Sequence, residues 1–295
     1  MANKKTFEEL NRALRLTNEV NELILRIPEE KLLLNEICRL IVDIGGYRLA
    51  WVGLKRHDDE KSVPPAAVSG IAKEYVDTIK VSWDSEHALG QGPTGSAIRS
   101  GHTVTTHVSD KLFSPWRESA LKHGINVIAA LPMHLDDEVI GALNIYSANH
   151  DAFSDDELIL LERMADNLAY GLRNLKAAAE LKKLHIAIKY LNQPLFITDT
   201  AGKIEYVNKA FAELTGYAEG EAIGQTPAIL KSESHPPEFY KAMWDTLLKG
   251  KGWRGKIVNR MKNGQLREEF LAITPLNGED GKIISFACII TDIAR

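Results

Sequence analysis

The sequence predicts an α+β chain of two domains, each a central antiparallel β-sheet flanked by helices, joined by a long coiled-coil helix. Three observations predict it. The 295 residues suit two domains at roughly 150 residues each. A hydrophobic heptad stripe opens after Ser154 and alternates steps of three and four without a break. After Pro194 the period changes from helical to alternating, and tight turns separate the apolar runs.

The elements follow in order. Residues 6–43 read as helical, with one stripe at Phe7, Leu10, Leu14 and Thr17 and a second at Leu16, Val20, Leu23 and Ile27. Pro28 starts a new helix, since proline suits a first turn. Residues 47–54 are short, apolar and preceded by Gly45-Gly46, the signature of a central strand. A β-rich region follows, and strands recur at 126–134 and 139–147 around the Asp136-Asp137 turn. Ser154 through Glu157 form a capping box, in which the serine accepts a backbone N–H and the glutamate reaches back. The helix it opens carries Leu158, Leu161, Ala165, Leu168, Leu172, Leu175 and Ala179. Its stripe then shifts to Leu181, Leu184, Ile188 and Leu191, so the seam rotates. Residues 158–170 are expected to cover the first domain's own sheet, and the stretch beyond to pair with a second copy of the chain. A hairpin at 195–208, helical pieces over 209–249 and strands at 252–262, 265–276 and 282–292 complete the chain.

Composition narrows the function classes. Hydrophobic residues make up 44% and charged residues 26%, enough for an ordinary core in each half. A net charge of -4 leaves no broad basic field for nucleic acid or an anionic membrane. The two cysteines, Cys38 and Cys288, sit in apolar stretches and read as buried small hydrophobes. The N-terminus lacks the apolar core of a signal peptide, and the expectation is a cytoplasmic protein.

Residues 195–295 resemble the PAS family. The carriers are Asp199 through Asn208, Phe211, Leu214 through Tyr217, Gly224, Ile229 through Ser232, Phe239-Tyr240, Trp244, Trp253 through Gly255, Val258 through Arg260 and Thr291 through Ile293. Residues 20–175 resemble the GAF family through Tyr47–Leu54, Gly92–Gly95, Ile128–Leu131, Ile140–Ser147 and the capped helix after Phe153. The resemblance divides the chain into a GAF-like sensory domain with an N-terminal helix (1–175), a helical connector (176–194) and a PAS-like domain (195–295). Both families hold small molecules between sheet and helices. Such pairs precede a diguanylate cyclase, a phosphodiesterase of cyclic-di-GMP signalling or a histidine kinase. No signature of those output domains is present in this chain, which reads as the sensor part alone.

The resemblance also names ligand residues. One PAS subgroup, that of the nitrogen-fixation redox sensors, holds a flavin, and Asn259, Trp253 and Trp244 match its pattern, which implies FAD or FMN here. A carboxamide on a strand can serve both the donor and acceptor edges of an isoalloxazine ring. Pro227 departs from it, standing where those sensors have an acid and the photosensing LOV branch has its adduct-forming cysteine. Phe196 replaces a small polar residue, and its ring could fill the pocket. Flavin binding and a closed pocket both stay open. In the GAF half, covalent bilin needs a cysteine near the central pocket, where neither cysteine lies. Haem needs a histidine ligand, and His87, His102, His107, His123 and His134 fall in no recognisable haem motif. A neutral or anionic small molecule remains, with Trp51, Trp83 and Trp116 as flat walls and His107, Arg117, Asn144 and Tyr146 as polar contacts. Core packing explains the tryptophans equally well.

No nucleophile–base pair or phosphate loop is present, so the reading is not an enzyme. The acidic clusters Asp155-Asp156-Glu157 and Glu268-Glu269 are read as a helix start and an exposed strand. The function expected is sensory and regulatory, as a homodimer through the connector, with a small-molecule ligand controlling an output domain. The alternative is a dimerisation module with no ligand.

Overall fold

The structure is a computed structural model that describes residues 2–71, 76 and 79–292, with side chains from residue 10 to 291. Phe7 and Ile293, named above, lie outside the described side chains. The described chain separates into two compact units, Met1–Ala179 and Glu180–Arg295.

The first unit begins with helices α1 (Ala2–Arg26) and α2 (Glu30–Asp43), broken at Pro28. Pro28 stands just ahead of α2 rather than in its first turn, because Glu29 occupies the N-cap. On α1 the inward face draws on both stripes: Leu16 and Val20 of the second and Thr17 of the first are buried, whereas Leu14 is exposed. Strands β1 (Leu49–Leu54), β2 (Pro65–Gly70), β3 (Val104–His107), β4 (Val127–Leu135) and β5 (Glu138–Ser147) pair antiparallel in the order β2-β1-β5-β4-β3. Helices α3 (Pro93–Ser100) and α4 (Arg117–Lys122) lie between β2 and β4 in the chain. The β4–β5 hairpin turns at Asp136, whose φ of 54° is the left-handed conformation that Asp tolerates.

One face of this sheet packs against helices. Alternate residues Ala50 and Val52 of β1 and Leu143 and Ile145 of β5 meet α1, α2 and the start of α5 (Asp155–Lys189). Leu161, Ala165, Leu168 and Leu172 of α5 are buried in that core, with Leu158 and Leu175 packed against it. The stripe from 158 to 175 is therefore core of the first unit, five residues further than the sequence suggested. Gly171 permits the close packing, since a Cβ there would come within 2.7 Å of Ile24. Beyond residue 176 the helix changes character, and Leu181 and Leu184 are 69% and 57% exposed.

The second unit has strands β6 (Leu195–Thr198), β7 (Ile204–Val207), β8 (Trp253–Arg260), β9 (Leu266–Asn277) and β10 (Ile283–Asp292) in the order β7-β6-β10-β9-β8. Between β7 and β8 run α6 (Lys209–Thr215), α7 (Glu219–Ala222), a 3-10 turn at Pro227–Leu230 and α8 (Pro237–Leu247). Asn208 joins these layers. Its Oδ1 accepts from Phe211 N at 3.0 Å, capping α6, and from Leu195 N at 2.9 Å, while its Nδ2 donates to Gln193 O at 2.8 Å.

Candidate functional site

In the second unit the inward residues of the sheet and the facing helices leave a cavity of about 400 Å³, within the range of small-molecule sites. Its floor is the pleat face of three strands: Ile257 and Asn259 of β8, Leu271 and Ile273 of β9, Phe286, Cys288 and Ile290 of β10. Pro227, Leu230, Tyr240, Met243 and Trp244 close it from the helical side. Phe196 lines the cavity without filling it, because its ring leans on Phe211 at 5.4 Å between centroids.

Polar groups in this apolar chamber are few. Asn259 is 5% exposed, and its Nδ2 donates to Oε2 of Glu269 at 2.9 Å. Glu269 is 0% exposed, which corrects the reading of Glu268-Glu269 as an exposed strand. The alternation of β9 explains it: Glu269 is in phase with the buried Leu271 and Ile273, and Glu268 points outward. The strand edge beside Asn259 is also pinned. Lys231 forms a bridge to Asn259, Ser232 donates to the Val258 carbonyl, and Val258 N donates to His235 Nε2 at 2.9 Å. The Tyr240 hydroxyl is out of reach of solvent and has no hydrogen-bond partner, an orphan that a ligand atom could satisfy. Desolvation raises its pKa above the ordinary tyrosine value. Lys231 lies over the Tyr240 ring at 4.9 Å.

Of the three residues expected here, two line the cavity. Trp244 does, with its ring edge-on to Phe286 at 5.6 Å, as does Asn259. Trp253 does not; its ring meets Phe239 edge-on at 5.7 Å. Cys288 adds a thiol that the sequence placed only in the core, and burial pushes it up to about 12, so it is neutral near pH 7.

In the first unit most of the expected ligand residues are engaged within the protein, Trp51 and Tyr146 with each other, whereas the buried Nδ1 of His107 has no hydrogen-bond partner. Trp51 Nε1 donates to the Tyr146 hydroxyl at 3.0 Å, and Thr94 donates to Oδ1 of Asn144 at 2.7 Å. Burial pushes the Tyr146 phenol up to about 12. Trp51, Trp116 and Tyr146 belong to one packed cluster. The gap left between Trp116, Phe113, Thr94 and Tyr146 is about 10 Å³, a single water at most. Trp83 stands elsewhere, bonded to the Arg56 carbonyl at 2.8 Å with Lys55 and Lys61 near its ring. Arg117 ties the loop carbonyls of Val108, Ser109 and Asp110. The His107 ring stacks on His150 at 4.2 Å. Among the described residues no three His, Cys, Asp or Glu side chains are grouped to hold a metal.

Residues 29–173 match the model of the GAF domain, and residues 185–293 match that of the PAS fold. The chain is a GAF domain followed by a PAS domain. The nitrogen fixation regulatory protein of Klebsiella pneumoniae is 35% identical over 98 residues, 33% of this chain and 20% of that protein. A blue-light-activated histidine kinase of Rhizobium johnstonii is 31% identical over 114 residues, 37% of this chain and 33% of that one. The LOV domain of the Erythrobacter litoralis blue-light activated histidine kinase is 25% identical at a TM-score of 0.33, covering 36% of this chain and 99% of that domain. The chain spans about a fifth of the length of the first of these relatives. The two domain models, and not the partial relatives, establish the resemblance drawn from the motifs for both domains.

The residues missed in the sequence, Tyr240 and Cys288 in the PAS cavity lining and Glu269 behind Asn259, had a signal of uneven strength. Glu269 was legible from strand phase alone. Cys288 was legible in the same way, in phase with Phe286 and Ile290 on β10, whereas Tyr240 was not, since packing of α8 against the sheet decides which of its side chains reach the cavity.

Proposed function

We propose that this chain is the sensory module of a cytoplasmic signalling protein, with a flavin as the ligand of its PAS domain. The observation that supports it is the 400 Å³ cavity with Asn259 in its floor and the orphaned Tyr240 hydroxyl in its wall. The residues fit the group: apolar walls suit the flat face of the ring, and a buried carboxamide suits its polar edge. Asn259, Tyr240 and Trp244 would hold the flavin, FAD or FMN, whereas Trp253, packed on Phe239 outside the cavity lining, would not touch it. When bound, the flavin supplies redox- or light-responsive electron chemistry. The protein's part is to orient the ring and exclude water. The likeness to a blue-light-activated kinase and to a nitrogen fixation regulatory protein is consistent with both stimuli.

The output is carried by the connector, residues 176–194, which dimerises with a second copy of the chain through Leu181, Leu184 and Leu191. These leucines are exposed in the single chain, and heptad spacing brings them to one seam. The module then regulates an output domain, a cyclase or phosphodiesterase of cyclic-di-GMP signalling or a histidine kinase, and has no catalytic role itself. The GAF domain supports the second reading for its own half: with its internal face filled by Trp51, Trp116 and Tyr146, it serves dimerisation rather than ligand capture on that face.

The test is titration of FAD and FMN with the purified chain, followed by quenching of flavin fluorescence. Saturable quenching that Asn259→Leu weakens supports the reading. Equal quenching by the variant places the flavin elsewhere and overturns this site.

A further inference from the structure

A second pocket lies in the GAF domain, on neither the PAS cavity nor the filled face of the sheet. It occupies about 240 Å³ where α1, the corner before β1, the end of β5 and the root of α5 converge. Arg12, Tyr47, Arg48, Ser147, Asn149 and Glu157 line it. Glu157 is 1% exposed and its carboxylate is fully engaged: Oε1 accepts from Tyr47 OH at 2.7 Å and from Arg12 Nη2 at 3.5 Å, and Oε2 accepts from Phe153 N at 3.0 Å. It therefore balances Arg12. Arg48 has no such counter-charge among the described residues. Its guanidinium donates from Nη2 to the His123 carbonyl at 3.2 Å, and its Nε, cut off from solvent, donates to nothing. Arg12 Nε is orphaned in the same way. A half-buried guanidinium without a carboxylate beside it, next to an open chamber, is a charge awaiting a partner.

The backbone at the site is also unusual. Phe153 has a φ of 71°, which a bulky side chain rarely adopts, and its ring stacks on Tyr47 at 5.7 Å. Residues held this way cluster at ligand clamps and switches.

We propose that this pocket binds a small oxyanion, a carboxylate or phosphate group, held by Arg48 and Arg12. Guanidinium groups bind such oxygens in pairs, and turning either one toward the pocket gives its orphaned Nε–H an acceptor. The volume admits a small organic acid or inorganic phosphate. Arg12 stands on α1 and Glu157 on α5, so an anion that draws Arg12 off its long contact with Glu157 changes how α1 is tied to the root of the connector helix.

The test is calorimetric titration of the full chain with succinate and, separately, inorganic phosphate, at constant ionic strength set with chloride. One-to-one binding of either is expected, and which of the two binds assigns the class. Arg48→Gln should weaken it by about ten- to a hundredfold. Arg48→Lys, which keeps the charge and protects the fold, should retain only part, because an ammonium lacks the paired geometry. Absence of heat from both anions overturns the proposal, as does undiminished binding to both variants.

Discussion

Removing the Glu157 carboxylate should release the corner it holds, and the size of the loss follows from its contacts. Two of them are short, Tyr47 OH at 2.7 Å and Phe153 N at 3.0 Å; the third, to an Arg12 side chain that is 38% exposed, is 3.5 Å. Hydrogen bonds to a charged group contribute about 1.5–3 kcal/mol each, whereas the long, partly solvated pair contributes about 0–1 kcal/mol. Glu157→Ala leaves a buried phenol and a buried amide without acceptors, a loss of about 4 kcal/mol, partly offset as Phe153 relaxes from its positive φ. Glu157→Gln keeps one acceptor and loses about 2 kcal/mol. Tyr47→Phe combined with Glu157→Gln should show a coupling of about 1–2 kcal/mol. The assay is hydrogen exchange under increasing urea in peptides from β1 and β5, which report the GAF domain without the PAS domain. If both Glu157 variants fall within about 0.5 kcal/mol of the parent, or if the coupling is zero, the carboxylate does not hold the corner.

Three further outcomes are expected. Leu161→Ala should cost about 2–5 kcal/mol of GAF stability in the same exchange assay, because Leu161 is buried in the core, whereas Leu184→Asp should leave stability intact and halve the mass in sedimentation; a parent that already sediments as a monomer contradicts the connector dimer. Burial raises Cys38 and Cys288 from an ordinary 9.0 to about 12, so the unfolded chain ionises first. The stability this gives is fully present below about pH 9 and declines as pH rises toward 12, by roughly 1.4 kcal/mol per thiol per unit; PAS unfolding measured across that window should fall less steeply in Cys288→Ala, and equal slopes would count against a buried neutral thiol. Glu269→Leu should weaken flavin by about tenfold, because Asn259 loses the acceptor that orients its amide, while Glu269→Gln should preserve affinity; the fluorescence titration distinguishes them, and identical affinities would show that Asn259 needs no such support.

The architecture was legible where local pattern determines it. The alternation after Pro194, the turn residues between β8, β9 and β10, and the serine of the capping box placed the strands and the start of α5. The serine half of that box forms, with Glu157 N donating to Ser154 Oγ at 3.4 Å, but the glutamate half does not. Its carboxylate turns instead to Phe153 N and to Tyr47, 110 residues away in sequence, a partner no local motif announces. The PAS site was legible in part, since Asn259 and Trp244 reach the cavity while Trp253 packs on Phe239. The GAF ligand residues were less so. Whether Trp51 and Tyr146 enclose a ligand or bond each other depends on volumes that only the packed sheet and helices define.

The measurement that bears most directly on the sensory reading is the near-ultraviolet and visible absorption of the chain, recorded as purified and again after incubation with excess FAD and FMN and desalting. A retained pair of flavin bands, released on denaturation and lost in Asn259→Leu, is the predicted result. A colourless protein after both treatments would contradict a flavin in the PAS cavity.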